Sequence, residues 1–324
     1  MSSILVFIES QNNQIKKASL EALTYARAHA NAANTSVFAL ADGHLSSEVL
    51  SQLGQYGADK IITLTDDRLN NFDSKAYAYM IAEVAKTNAC DVVVISYNIC
   101  GKAIAGRVAK LLNAGLVAGA IDTPDTSNGF VVKKGVFSGK AFAYVRINTN
   151  NKVIALTPNA YKTEACPKAG AIEAGNLNVP AEQFSVKVKD TQRSSGKIPL
   201  TEAELVVSGG RGLKGPENWG MLEETAQLLN AATACSRAVA DVHWRPHEEH
   251  VGQTGITIRP NLYIAVGISG AIQHLAGVNQ SKTIVVINTD KEAPFFSAAD
   301  YGIVGDAFEV VPKLNAAIKK FKGQ

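Results

Sequence analysis

The chain opens on a continuous apolar run, Ile4 to Ile8, and then carries apolar positions at helical spacing through an alanine-rich stretch from Ile15 to Ala33. A short run without polar alternation is what a strand buried on both faces requires, and the 3.6-residue period after it is that of a helix packed against the strand. The step recurs. Strands are predicted at Ser36 to Leu40, Lys60 to Leu64 and Asp91 to Ser96, with helices near Ser46 to Leu53, Ser74 to Thr87 and Lys102 to Leu112. Alternation at this spacing predicts right-handed crossovers and a mostly parallel sheet with helices on both faces.

From Gly115 to Thr157 the pattern becomes β-branched stretches separated by Ser-Asn-Gly, Ser-Gly-Lys and Asn-Thr-Asn-Asn. These read as hairpin turns that add antiparallel strands to one edge. Residues Asp190 to Pro199 lack apolar periodicity and read as a linker, so the expected division is an N-terminal α/β domain over 1–189, a linker over 190–200 and a second domain over 201–324. The rhythm then resumes with a strand at Glu204 to Val207, a helix from about Glu217 to Ala232, strands at Leu262 to Val266 and Thr283 to Ile287, and a closing helix from Phe308 to Phe321. The fold class expected is α/β in two domains: a mostly parallel sheet with edge hairpins, then a doubly wound parallel sheet.

Composition narrows the function without naming it. With 324 residues and 46% hydrophobic content the chain can bury two cores, and 32 basic against 29 acidic residues give no field that selects nucleic acid or an anionic membrane as a partner. The four cysteines, Cys90, Cys100, Cys166 and Cys235, are too widely spaced for a zinc knuckle or a C-x-x-C pair, and read as free thiols in a reducing compartment. Neither a basic leader nor a membrane-length apolar run follows Met1, so no direct membrane insertion is expected. The chain reads as cytoplasmic in a bacterium, or mitochondrial if a transit peptide has been removed.

Candidate chemistry gathers in the second domain. Ser208-Gly-Gly-Arg-Gly212 follows a strand, Gly267-Ile-Ser-Gly270 follows another, and Val251-Gly-Gln-Thr-Gly255 lies between them. Glycine lets backbone N–H groups approach a phosphate, although glycines in such turns also serve packing alone. Loops at the carboxyl ends of parallel strands converge on one crevice, where extended nucleotides bind. The fingerprints G-x-G-x-x-G and G-x-x-x-x-G-K-[ST] are both absent, which argues against a standard nicotinamide dehydrogenase and an NTPase. Cys235-Ser236-Arg237 reads by itself as a helix start bearing a surface arginine. His243, His247 and His250, with Glu248 and Glu249, do not form H-E-x-x-H; Pro246 breaks any helix that would align the imidazoles, so the stretch reads as a solvated loop. No metal site and no catalytic nucleophile are expected.

The run from Leu262 to Gly277, LYIAVGISGAIQHLAG, followed by Thr283-Ile-Val-Val-Ile-Asn288, closely resembles the signature of electron-transfer flavoprotein alpha subunits. Ser208-Gly-Gly-Arg-Gly, Ser236-Arg237, Val251-Gly-Gln-Thr-Gly, Ala293-Pro294 and Ala299 to Val304 follow in the family's order. Val286 departs from it, standing where alanine is more usual, and His243 to His250 match no family motif.

The resemblance implies one FAD, a beta subunit as heterodimer partner holding AMP or a second FAD, and a redox carrier rather than an enzyme of bond chemistry. Its electrons would come from flavin dehydrogenases, such as the acyl-CoA dehydrogenases of fatty acid oxidation, and pass to a membrane quinone oxidoreductase. An electron-bifurcating complex oxidising NADH is the alternative, and a nucleotide-binding regulatory module without redox role is a third reading. The residues matching the family's FAD contacts are Arg211, Ser236, Arg237, Val251, Gly252, Gln253, Thr254, Ser269, Gly270, Ala271, Ile272, Gln273, His274, Asn288, Asp306 and Ala307. The resemblance puts Arg237 over the isoalloxazine ring, Thr254 near flavin N5 and His274 near the pyrimidine carbonyl, with Asn288 and Asp306 on the AMP side. A flavin gains negative charge on reduction, so nearby donors and cations raise its potential, the role expected of Arg237 and His274.

Overall fold

A computed structural model describes residues 3–190 and 198–323. The chain divides into two compact units, Met1–Val136 with Ala141–Gln192, and Phe137–Lys140 with Arg193–Gln324. Most of the expected linker, residues 191–197, lies outside the described residues.

In the first unit β1 (Ser3–Phe7) runs into a small ribbon of β2 (Ser10–Gln11) and β3 (Gln14–Ile15), then α1 (Lys17–Ala33). There follow β4 (Val37–Asp42), α2 (Ser47–Gln55), β5 (Lys60–Leu64), α3 (Ser74–Thr87), β6 (Cys90–Ser96) and α4 (Ile99–Leu111). The helix starts are chemically marked: Ser46, Asp73 and Asn98 each accept backbone N–H bonds as N-caps of α2, α3 and α4. Next come β7 (Gly115–Ala120), β8 (Phe130–Val136), β9 (Ala141–Ile147), β10 (Lys152–Leu156) and β11 (Ala171–Ala174). The strand order is β11-β5-β4-β1-β6-β10-β7-β8-β9, with α1 and α2 packed on one face and α3 and α4 on the other.

Only part of the Gly115 to Thr157 region is antiparallel, which corrects the expectation of hairpins throughout. β8 and β9 form one hairpin at the edge, turning at Ser138, but β10 inserts in parallel between β6 and β7. Val153, Ile154, Ala155 and Leu156 are all buried, the unbroken run of an interior strand. The polar segment at 148–151 is therefore a crossover that carries the chain back across the sheet.

The second unit contains β12 (Leu205–Gly209), α5 (Gly220–Leu229), β13 (Ala232–Cys235), α6 (Arg237–Ala240) and β14 (Leu262–Val266). It continues with α7 (Ile272–Val278), β15 (Thr283–Asn288), β16 (Tyr301–Val304) and α8 (Ala307–Lys322). All five strands are parallel, in the order β13-β12-β14-β15-β16. Helices α5, α6 and α8 cover one face, while α7, Val251, Ile258 and Phe295 cover the other, as the doubly wound class requires. The chain leaves β12 on one side and returns on the other at β14, making β12/β14 the topological switch point at whose carboxyl end ligands bind in such sheets. Among the described residues, no helix is long and apolar enough to cross a membrane.

Candidate functional site

The frame of the site is backbone packed on backbone. Gly210 N–H donates to Val266 O at 2.9 Å and Gly212 N–H to Gly267 O at 3.0 Å, which locks the turn after β12 to the turn after β14. A Cβ on Gly210 would meet Gly267 O at 2.2 Å, and one on Gly212 would meet Gly267 Cα at 2.6 Å. These glycines therefore serve close packing at the switch point, the steric half of the two readings open from the sequence. Gly267 also sits at φ +62°, where a side chain would be strained.

The other loops hang on this frame. Val251 N–H donates to Cys235 O, tying the Val251–Gly255 loop to the end of β13, and Gln253 N–H donates to Gln273 O at 2.7 Å, tying it to α7. Gly277 of α7 lies so near this loop that a Cβ would stand 2.5 Å from Gly252 Cα. Ser236 N–H is held by Gly209 O, Asn288 Nδ2 donates to Ile268 O, and Asp306 caps α8 through Phe308 N–H. The structure thus gathers the predicted residues along one sheet edge, after β12 (Arg211), β13 (Ser236, Arg237), β14 (Ser269 to His274), β15 (Asn288) and β16 (Asp306, Ala307). Arg211, Arg237, Gln253, Thr254, Ser269, Ala271, Ile272 and Gln273 are exposed there. The N–H groups of Ser269, Gly270 and Ala271 find no acceptor among the described residues.

His274 differs from the cation expected of it. Its ring is buried between Tyr263 and Phe295, with Nε2 2.8 Å from the Tyr263 hydroxyl. Burial, with His250 nearby, pulls its pKa down to about 4, the Val251 backbone opposing only in part. The imidazole is neutral at pH 7, so it can offer a hydrogen bond but no charge. Its Nδ1 is buried against the Val251 backbone without a bond of acceptable geometry, and Ser208 Oγ of β12 is buried in the same way near the Tyr263 phenol.

Arg237 is the exposed cation, its side chain 66% accessible and paired with Asp241 at 3.3 Å. It borders an open cleft of about 760 Å³ lined also by Asp241, His243, Trp244, Arg245 and His247. Asp306 approaches Lys214 at 3.8 Å, and Asn288 Oδ1 accepts from Asp290 N–H, so both expected AMP-side residues also order their own turns.

The histidine-rich stretch is less of a solvated loop than its sequence implies. His243 and His247 are exposed, but His250 is buried beside Cys235, its pKa lowered chiefly by desolvation. Beside it Arg245 grips buried Glu249 through two bonds of 2.7 and 2.8 Å, reaches Glu223 of α5 at 2.7 Å and lies over Trp219. Thr233 of β13 adds a bond to Glu249. Tyr263, Arg245 and Glu249 were not singled out by sequence reasoning. Tyr263 could have been, as the one aromatic with a polar tip inside the aliphatic run of β14. Two of the four cysteines are buried, and burial pushes the thiols of both Cys90 and Cys235 up to about 12.

An open parallel sheet whose carboxyl edge presents two arginines, several hydroxyls and unused amides defines an α/β protein fitted to an elongated, partly anionic ligand. The buried His274 Nδ1, which meets no bond of acceptable geometry, and the open amides of Ser269 to Ala271 fit a flavin nucleotide, which carries both carbonyl acceptors and phosphates. Comparison with known proteins agrees. Residues 4–182 match the family model of the electron transfer flavoprotein domain, and residues 199–279 match that of the electron transfer flavoprotein FAD-binding domain. Curated proteins called electron transfer flavoprotein subunit alpha are similar over nearly the full length. The one from Syntrophomonas wolfei is 36% identical, covering 99% of this chain and 100% of its own. Those from Mycobacterium leprae and Mycobacterium tuberculosis are 38% and 39% identical, with 100% of both chains covered in each case. The chain belongs to the electron transfer flavoprotein alpha-subunit family.

Proposed function

We propose that this chain, paired with a beta subunit, holds one FAD along the carboxyl edge of its second sheet and serves as a single-electron carrier. It accepts electrons from flavin dehydrogenases such as acyl-CoA dehydrogenases and delivers them to a membrane quinone oxidoreductase. The observation that carries the reading is the convergence of five strand ends on one edge, with the Val251–Gly255 loop tied to it through Cys235 and Gln273. When bound, the flavin supplies the one-electron chemistry. The chain's own residues do the rest: Arg211 and the amides of Ser269 to Ala271 bind anionic groups, Arg237 sets a positive charge, and Ser236 and Thr254 supply hydroxyls. His274 gives a neutral hydrogen bond. Asn288 and Asp306 order the turns that shape the far end.

Co-expression with a partner beta subunit tests this directly. A purified heterodimer with flavin absorption bands, one flavin per pair and reduction by an acyl-CoA dehydrogenase with its substrate is expected. A colourless heterodimer would refute cofactor binding, and two flavins per pair would refute the single-centre carrier.

A further inference from the structure

Tyr263 is wholly buried in β14, and its hydroxyl makes a well-formed hydrogen bond to His274 Nε2 at 2.8 Å. Two arrangements fit that distance. In one, the phenol donates to the Nε2 lone pair, and the imidazole proton sits on Nδ1. In the other, Nε2–H donates to the phenol oxygen, and the phenol proton must find another acceptor. The polar side chain next to it in the strand register is Ser208 of β12, diagonal to Tyr263; it lies near enough to act on the phenol, but its Oγ makes no bond of acceptable geometry. A buried hydroxyl proton without an acceptor is disfavoured, because it loses its bond to water and gains none in return. A phenol is also a better donor than a neutral imidazole N–H, having the lower pKa.

We infer that Tyr263 is a positioning residue that fixes His274 as the tautomer protonated on Nδ1, leaving that N–H as the imidazole's only donor at the site. The inference rests on the flavin-binding reading for its purpose and on the geometry alone for its content. Nδ1 is buried and faces the Val251 backbone, with which it makes no bond of acceptable geometry. A carbonyl acceptor on the ligand would satisfy it. The opposite tautomer would turn a lone pair toward the same place and repel such a carbonyl. The phenol thus decides, from inside the sheet and without contact with the ligand, which end of a neutral imidazole can donate.

The test is imidazole nitrogen NMR on the full-length chain labelled with 15N-histidine, with His274→Gln assigning the signal among six histidines. Wild type should show a protonated Nδ1 and an unprotonated Nε2. Ser208→Ala should leave this unchanged, while Tyr263→Phe, which keeps the buried ring, should let protonated Nε2 appear. In heterodimer with the beta subunit, Tyr263→Phe should also raise the FAD dissociation constant about five- to tenfold, as loss of one neutral hydrogen bond does. Protonated Nε2 in wild type, a tautomer shift in Ser208→Ala, or an unchanged tautomer or affinity in Tyr263→Phe would each overturn the inference. A wild-type heterodimer that binds no flavin fails the functional reading instead, and the tautomer result in the ligand-free chain stands apart from it.

Discussion

Acid should weaken the second unit through His274, and the size of the effect follows from its burial. The folded-state pKa is depressed from 6.5 to about 4, so between those values the unfolded chain binds a proton that the folded chain refuses. Stability is therefore fully present above pH 6.5 and is lost as pH falls toward 4. At roughly 1.36 kcal/mol per pH unit, the loss from this group is about 2 kcal/mol at pH 5 and approaches about 3 kcal/mol at pH 4. His274→Gln keeps a group that can bond the Tyr263 hydroxyl and cannot titrate in this range. Both tryptophans of the chain, Trp219 and Trp244, belong to the second unit, so fluorescence reports its unfolding selectively. Urea titrations of the full-length chain at pH 7.5, 6, 5 and 4.5 should show the wild type losing stability relative to His274→Gln by about these amounts. His250 contributes a further loss in the same direction to both proteins, most of which cancels in the difference. A wild-type-minus-variant difference that stays flat across this range would refute the assignment of a buried neutral imidazole.

Three more outcomes are expected. Arg245→Ala removes the cation that faces the buried Glu249 carboxylate and should destabilise the second unit by about 3–5 kcal/mol, read by the same fluorescence; a change below 1 kcal/mol would mean that the clamp contributes little. Gly277→Ala drives a Cβ into Gly252 backbone atoms at 2.5 Å, costs about 1–3 kcal/mol and should raise the FAD dissociation constant by parting α7 from the Val251 loop; unchanged binding would show that the two can separate freely. Arg237→Ala should lower the flavin potential. A unit charge about 4 Å away is worth about 4 kcal/mol at a dielectric near 20 but about 1 kcal/mol in water, and this guanidinium is exposed and paired with Asp241. The shift should therefore lie near the lower figure, about 40 mV for one electron, and potentiometry finding none would remove Arg237 from the electrostatics of the site.

Strands buried on both faces were the most legible elements, because Ile4 to Phe7 and Leu262 to Val266 are unbroken apolar runs. β13 was not legible: Ala232-Thr-Ala-Cys235 is short and alanine-rich, continues the helical pattern of α5, and becomes a strand only by pairing with β12. β16 and β11 were missed for the opposite reason. All their residues are exposed, so no burial pattern marks them, and main-chain bonds to β15 and β5 define them. The candidate residues were named through family resemblance, and the structure brings them to the carboxyl ends of the second sheet and the loop beside them. The electrostatics of the site were not legible, since the neutrality of His274 depends on Tyr263 and Phe295, brought against it by packing from eleven and twenty-one positions away in the chain.

The contact of Gly210 and Gly212 with Gly267 has a consequence for how this site can change. Where two turns meet main chain against main chain, no side chain determines their spacing, and none can be exchanged to alter it. Drift at Arg211, Arg237 or Thr254 can then adjust charge and hydrogen bonding on a scaffold that stays put. Evolution is left free to tune what the site does electronically while its shape is inherited as a unit.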